Sequence, residues 1–262
     1  MSGRTINPFR SALGEVVKRL AWDARPESWR SRRLLRGWRD RHRGESAVIL
    51  CNGPSLAKVD LSQLANVFTF GLNKIDLLFE RSAFRPSCIV AVNKLVLEQN
   101  ASFFSSTNIP LFLDHEGLAF VQPRSNVAFL HSTAVRGRAF AEDCSISVPQ
   151  GGTVTFVALQ LAFHMGFTRV AIVGCDHSYA QTGKPNAVVT SGETDPSHFD
   201  PRYFAGGQKW QLPDLLQSEL SYRTSLDAYE AAGRMLVNAT AGGKLELLPR
   251  MPLADFLAGV RR

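Results

Sequence analysis

The stretch that most constrains the fold of this chain is Ser46–Ser55, SAVILCNGPS. Its apolar run (Ala47, Val48, Ile49, Leu50, Cys51) has no polar alternation and stops abruptly at Asn52-Gly53-Pro54-Ser55, with a helix-like pattern from Leu56. Such a run of about five residues is the mark of a strand buried on both faces, as in a parallel sheet. Gly53 predicts a turn with φ > 0 and a close approach of ligand to backbone. Pro54 and Ser55 suit the first positions of the next element, where a serine hydroxyl can cap orphan N–H groups. A strand, a glycine turn and a helix start together make an anion site at the carboxyl end of a sheet. The tetrapeptide alone fits an ordinary β–α turn equally well, and a second glycine site at Gly151-Gly152 tips the reading toward a ligand.

Beyond Ser46 strand and helix patterns alternate. Strands are expected at 47–51, 67–72, 87–92, 111–113, 127–130, 169–174 and 235–239. Helices are expected near 61–64 and at 94–104, 153–165 and 213–233, with a last turn at 253–257. The 153–165 helix carries the clearest signals, with Gly151-Gly152 before it and Gly166 in the C-cap position. Residues 180–212 are polar and rich in glycine and proline, a lid or functional loop. The alternation predicts an α/β fold: a mostly parallel, doubly wound, Rossmann-like sheet of GT-A-variant type, with helices on both faces and a C-terminal lid region.

The net charge of +7 is unevenly placed. Residues 1–44 hold 12 Lys/Arg against four Asp/Glu, a balance of +8, and the remaining 218 residues carry −1. This sets residues 1–44 apart as a basic N-terminal extension and leaves 45–262 as a single α/β domain. Leu13, Val16, Val17 and Leu20, and again Leu34, Leu35 and Trp38, recur at helical spacing, predicting one or two basic amphipathic helices. Such helices can lie on an anionic membrane surface, pack on the domain or bind a partner. Nucleic acid is not expected, since no nucleic-acid module is recognisable. No apolar run reaches the ~18 residues of a membrane span, and the amino terminus lacks the apolar core of a signal peptide. Cys51, Cys88, Cys144 and Cys175 are widely spaced without a CxxC pair, which reads as small buried hydrophobes in a reducing cytoplasm.

Ligands of such sheets bind outside the carboxyl ends of the strands. Four strands end in Asn52-Gly53-Pro54-Ser55, Asn73, Asn93 and Gly174-Cys175-Asp176-His177, and Gly151-Gly152-Thr153 opens the best helix. A single Asn is commonly a turn residue. Three at three strand ends, beside two glycine turns, offer amide donors and acceptors for a base and ribose and N–H groups for a phosphate. There is no GxxxxGK[ST], no GxGxxG after the first strand and no Asp-x-Asp metal pair, so a metal is possible but not required, and no cofactor is expected. In the lid, His198 is a candidate general base, oriented by Asp195, Asp200 or Glu193. His177 competes for that role, whereas His164, inside an apolar helix, reads as structural. Tyr179 and Tyr203 could donate hydroxyl hydrogen bonds to a leaving phosphate.

These residues resemble a known family. NGPSL at 52–56, the strand-end Asn73 and VAVNKLVLEQN at 90–100 look like the bacterial sialyltransferases of glycosyltransferase family 42. GGTVTFVALQLAFHMGFTRVAIVGCDHSYA at 151–180 is similar to the same family. It is closer still to the 6-hydroxymethylpterin diphosphokinase-like proteins, a group that includes the central domain of flagellin-glycosylating motility accessory proteins. The segment from His198 through NATAGGKLELLPR (238–250) is similar to stand-alone bacterial members of that group, and the resemblance covers roughly residues 46–250. It implies that Asn52, Gly53 and Ser55 contact nucleotide phosphate and ribose, and that Asn73 and Asn93 contact the cytidine or sugar. By the same resemblance Gly152 and Thr153 bind near the phosphate or carboxylate, Asp176 lies by the nucleotide, Tyr179 and Tyr203 assist the leaving phosphate, and His198 is the base.

The expected activity is therefore an inverting, metal-independent transfer of an acidic sugar, sialic-acid-like or Kdo, from a CMP-sugar donor. The acceptor would be a bacterial surface glycan or glycolipid. The location would be cytoplasmic, peripheral at the inner face of the inner membrane through residues 1–44. The rivals are a diphosphotransferase using ATP and Mg²⁺, and a catalytically silent nucleotide-binding scaffold.

Overall fold

In the computed structural model, which describes residues 8–134 and 138–260, the run Ser46–Leu50 forms β1, buried along its whole length. It pairs in parallel with β2 (Phe68–Leu72) on one side. β3 (Cys88–Ala91), β4 (Leu111–Asp114) and β5 (Val127–Leu130) follow outward from β2. Two short pairs stand outside this sheet, β6 (Ser132–Thr133) with β7 (Val148–Pro149) and β9 (Val188–Thr190) with β10 (Lys209–Gln211). On the other side of β1 lie β8 (Arg169–Val173) and then β11 (Met235–Asn238). The sheet order is β11-β8-β1-β2-β3-β4-β5, and every pairing in it is parallel.

Both faces of β1 are covered, as its unalternating sequence requires. Ala47, Ile49 and Cys51 pack in one cluster with α5 (Val154–His164), whereas Val48 and Leu50 join the opposite cluster. α5 is buried all round because α6 (Leu215–Ala231) lies against its outer side, where Tyr229 donates its hydroxyl to the Leu159 carbonyl at 2.8 Å. His164 is structural: its Nδ1 accepts from the Cys144 amide (3.4 Å) and its Nε2 bonds the Leu35 carbonyl (2.9 Å). α7 (Leu253–Ala258) closes the chain against β8 through Arg169, which donates to the carbonyls of Phe256 and Gly259. No helix among the described residues is long and apolar enough to cross a membrane.

Three elements depart from the sequence reading. The segment after Pro54 is a pair of short 3-10 turns, Pro54–Lys58 and Leu61–Leu64. The helix expected at 94–104 breaks at Asn100 into α3 (Lys94–Gln99) and α4 (Ala101–Ser106), where the Asn100 side chain reaches Asp76 at 2.8 Å. Residues 1–44 do form two helices, α1 (Pro8–Asp23) and α2 (Pro26–Trp38), with residues 1–7 outside the described residues. α2, however, is built into the fold. β5 is an edge strand, and α2 satisfies its outward backbone groups: the Phe129 amide donates to Ser31 Oγ (2.8 Å) and Arg30 donates to the Val127 carbonyl (2.7 Å). Leu35 is buried in the same contact.

Residues 180–212 are also more than a loop. The β9–β10 hairpin and the intervening turns bury Phe199, Tyr203, Phe204, Trp210 and Leu212 in the second core cluster. This cap is pinned to the rim. The Phe199 amide donates to the Asn52 carbonyl (2.9 Å), and Asp200 accepts from Arg81 and Arg202. Burial opposes ionisation of Asp200, but the hydrogen bonds from Arg202 and Arg81 outweigh it and hold its carboxyl down at about 2. A lowered folded-state pKa means that the unfolded chain binds the proton first as pH falls. The anchor's stabilisation is therefore complete above about pH 4 and disappears as pH falls through about 2. Limited proteolysis across this range should show acid-induced opening of residues 180–212, and Asp200→Asn should open at neutral pH and flatten the profile. A profile unchanged by Asp200→Asn would dismiss the anchor.

Candidate functional site

Because the strands are parallel, all their carboxyl ends open on one rim, and a cavity of about 560 Å³ lies there. Asn52, Gly53, Asn73, Asn93, Gly152, Thr153, Gly174, Asp176, His177, Tyr179, His198 and Tyr203 all line it. Gly53 and Gly152, 99 positions apart, thus share one hollow. Pro54, Ser55 and Gly151 lie behind its wall and do not line it.

The turn after β1 works differently from the sequence reading. Gly53 has φ −70°, not a positive value. Its lack of a side chain matters for close approach: a Cβ there would sit 2.1 Å from Asp176 Oδ2 and 2.7 Å from the Gly174 carbonyl. The Gly53 amide donates to Gly174 O (2.8 Å), and the Ser55 amide and hydroxyl donate to Asp176 Oδ2 (3.1 and 2.7 Å). These donors fasten the β1 turn to the β8 turn, so Ser55 and Gly53 are engaged within the protein and Asp176 is the clasp between them.

Two buried acceptors remain open. Asn52 Nδ2 donates to the Leu72 carbonyl (3.1 Å), but among the described residues Asn52 Oδ1 has no hydrogen-bond partner, and neither does Asn73 Oδ1. Asn73 takes a left-handed conformation, φ 50°, which turns β2 sharply at the rim. A buried carbonyl oxygen without a partner is costly unless something donates to it. Asn93 is fully engaged: its Oδ1 caps α3 at the Leu95 amide (2.9 Å) and its Nδ2 donates to Gln211 of β10 (2.7 Å). It fixes the cap to the rim and lines the cavity in passing.

Across the hollow, Gly151 (φ 58°) and Gly152 (φ 76°) take two successive left-handed steps that aim the chain into α5. A Cβ on Gly151 would lie 2.3 Å from both Phe156 and Ser221 Oγ. Thr153 caps α5, its hydroxyl accepting from the Thr155 amide (3.3 Å). Gly152, Thr153, Val154 and Thr155 bring the positive end of this eleven-residue helix to the cavity wall.

The cap supplies a paired histidine. His198 Nδ1 lies 2.7 Å from Asp195 Oδ2. Asp195 is itself held by the amides of Ser197 (2.8 Å) and Phe204 (3.1 Å). The His198 ring stacks on Tyr203, with centroids 4.0 Å apart and planes 3° from parallel. A carboxylate on Nδ1 selects the tautomer whose Nε2 lone pair is free to take a proton. Of the three acids named as partners from sequence, Asp195 does this, Asp200 anchors the cap, and neither bond set involves Glu193. Burial pushes the Tyr203 phenol up, so its hydroxyl stays a donor at neutral pH. His177, φ 52°, pairs through Nε2 with Glu219 of α6 (3.1 Å), a second acid–histidine pair on the far wall.

Several site residues escaped the sequence reading. Lys74 is buried and donates to Gln99 Oε1 (2.8 Å), Gln208 Oε1 (2.7 Å) and the Tyr203 carbonyl (2.9 Å), tying the β2 end to the cap. Burial lowers its ammonium to about 8. Asp114, His115 and His131 line the cavity beyond Asn93. Burial, with lesser contributions from His115 and Arg19, lowers His131 to about 4, so it is neutral at physiological pH. His115 and His131 directly follow strands, and the strand-end reasoning that found Asn73 and Asn93 would have reached them had it been carried to β4 and β5. Among the described residues no three His, Cys, Asp or Glu side chains converge as a metal-ligand set.

Comparison with known proteins places this geometry. The structure of MAf glycosyltransferase from Magnetospirillum magneticum AMB-1 superposes with a TM-score of 0.51 at 14% identity, over 89% of this chain and 39% of that one. The chain thus spans well under half of that protein, and at this identity the likeness is one of fold. No curated protein matches the chain significantly. The family model for 6-hydroxymethylpterin diphosphokinase MptE-like proteins matches residues 32–182, from the middle of α2 to just past the β8 turn. With more than half of its length so matched, the chain belongs to the 6-hydroxymethylpterin diphosphokinase MptE-like family.

Proposed function

We propose that this chain is an inverting glycosyltransferase that moves an acidic sugar, sialic-acid-like or Kdo, from a CMP-sugar donor to a hydroxyl of a bacterial surface glycan. The observation that carries this reading is the Asp195–His198 pair, set in the same hollow as the α5 N-terminus and the open Asn52 and Asn73 oxygens. The N-terminus of α5, with Thr153, receives the donor phosphate. The amide oxygens of Asn52 and Asn73 accept from the exocyclic amine of cytosine or the ribose hydroxyls. His198 Nε2 takes the proton of the acceptor hydroxyl as its oxygen bonds the anomeric carbon from the face opposite the phosphate. The bond to the phosphate oxygen breaks with its electron pair, and the departing CMP is stabilised by α5 and by the Tyr179 and Tyr203 hydroxyls. Asp195 stabilises the imidazolium formed.

The family match favours a second reading, diphosphate transfer from ATP–Mg²⁺. That chemistry needs carboxylates free to hold the ion. Of the carboxylates on the cavity, Asp176 is bonded to Ser55, Asp114 accepts from Ser132 and the Glu116 amide, and Glu15 pairs with Lys18, which leaves the Glu116 carboxylate as the one without a partner among the described residues. Calorimetry with CMP against ATP–Mg²⁺ separates the two: binding of ATP–Mg²⁺ alone would replace the first reading with the second. Asn52→Ala should weaken CMP binding by about 0.5–1.5 kcal/mol, up to roughly tenfold in Kd. An unchanged Kd would remove Asn52 from the nucleotide site.

A further inference from the structure

α1 presents its apolar side away from the protein. Trp22 is buried, its ring 5.3 Å from that of His115, and Glu15 and Lys18 line the cavity. Leu13, Val16, Val17 and Leu20 instead stand 64%, 53%, 56% and 63% exposed. At about 100° per residue these four share one side of the helix, opposite Trp22. At the head of α2, Trp29 is 71% exposed, and its indole donates to the Asp23 carbonyl at the end of α1 (2.9 Å). Arg33 and Arg36 share its side of α2, and they and the N-cap residue Arg25 are exposed and have no acidic partner among the described residues.

An outward apolar row, an exposed indole and unpaired guanidinium groups need an apolar partner with negative charge. We propose that α1 and the outer side of α2 dock on an anionic lipid bilayer, Leu13, Val16, Val17, Leu20 and Trp29 entering the acyl boundary and Arg25, Arg33 and Arg36 meeting lipid phosphates. The charge distribution favours this occupant over a second copy, because residues 1–44 carry +8 and would face the same charge across a dimer. Docking also places α1 between the lipid surface and the cavity, whose wall Glu15 and Lys18 form from the opposite side of the helix. On the reading that the cavity transfers a sugar, and resting on it, the acceptor is a glycan carried on lipid.

The test uses the full chain. Removing residues 1–44 would strip α2 from β5, so point variants replace truncation. Flotation with phosphatidylcholine vesicles containing phosphatidylglycerol should carry the protein, with a blue shift of tryptophan emission that Trp29→Phe removes and with release by salt, whereas phosphatidylcholine alone should not. Val17→Glu with Leu20→Glu, and Arg33→Gln with Arg36→Gln, should each weaken binding roughly tenfold or more without altering the melting temperature. No binding of the wild type, or undiminished binding of both variants, overturns the proposal. A dimer in solution that Val17→Glu/Leu20→Glu dissolves overturns it in favour of self-association. Thermal shift with CMP on the same samples reads the cavity separately: vesicle binding without a CMP shift would leave docking standing and end the sugar-transfer reading.

Discussion

Replacing His198 by alanine should reduce sugar transfer by about 10²–10⁴-fold and leave the affinity for CMP unchanged. The ring contributes nothing to holding the nucleotide in the proposed arrangement; it acts only when the acceptor hydroxyl loses its proton. Loss of kcat with constant nucleotide Kd is therefore the signature of the missing base. The pH profile supplies a second readout, since the limb due to the base should vanish in the variant. Melting temperature must be followed alongside, because His198 stacks on the buried Tyr203. Wild-type turnover in His198→Ala would sink the assignment. Loss in His177→Ala with retention in His198→Ala would move the base to the His177–Glu219 pair across the hollow.

The second large effect concerns stability. Gly53→Ala should destabilise the protein by about 3 kcal/mol, a fall of roughly 6–12 °C in melting temperature for a chain of this size. The added Cβ would press on the Asp176 carboxylate and on the Gly174 backbone, and the latter cannot rotate away. Relief requires separating the β1 and β8 turns, which would break the Ser55–Asp176 bonds as well. Gly37→Ala is the matched control: it lies in α2 with nothing within 4 Å of its added Cβ, and should gain up to about 1 kcal/mol from helix propensity. Equal melting temperatures for the two variants would show that the turns are not clamped as described.

The unequal legibility of the site follows from the range over which each feature is determined. Asn52, Asn73, Asn93 and Asp176 could be placed on the cavity because a buried strand is a local pattern and its last residue is known once the run stops, and Gly152 because it opens a strongly patterned helix. The conformation at Gly53 could not be found in this way. A lone glycine signals either a positive φ or a tight neighbour, and only the packing of β8 against β1 decides between them. The same holds for residues 180–212. Their polar turns hide five apolar anchors, Phe199, Tyr203, Phe204, Trp210 and Leu212, whose common core forms only against the folded sheet.

By itself the amino-acid sequence determined the layered α/β architecture, the strand ends that make the rim, the capped and glycine-led start of α5, and the separation of a strongly basic segment from a near-neutral remainder. Those properties are written in stretches of five to fifteen neighbouring residues, where periodicity and turn chemistry act. Tertiary structure alone decided which histidine meets which acid, which asparagine oxygens stay open, that α2 seals the edge of β5, and that the apolar side of α1 faces outward. Apart from the Asp195–His198 pair, three positions apart, these depend on residues tens of positions away, and no local preference distinguishes the pairing that forms from those that do not.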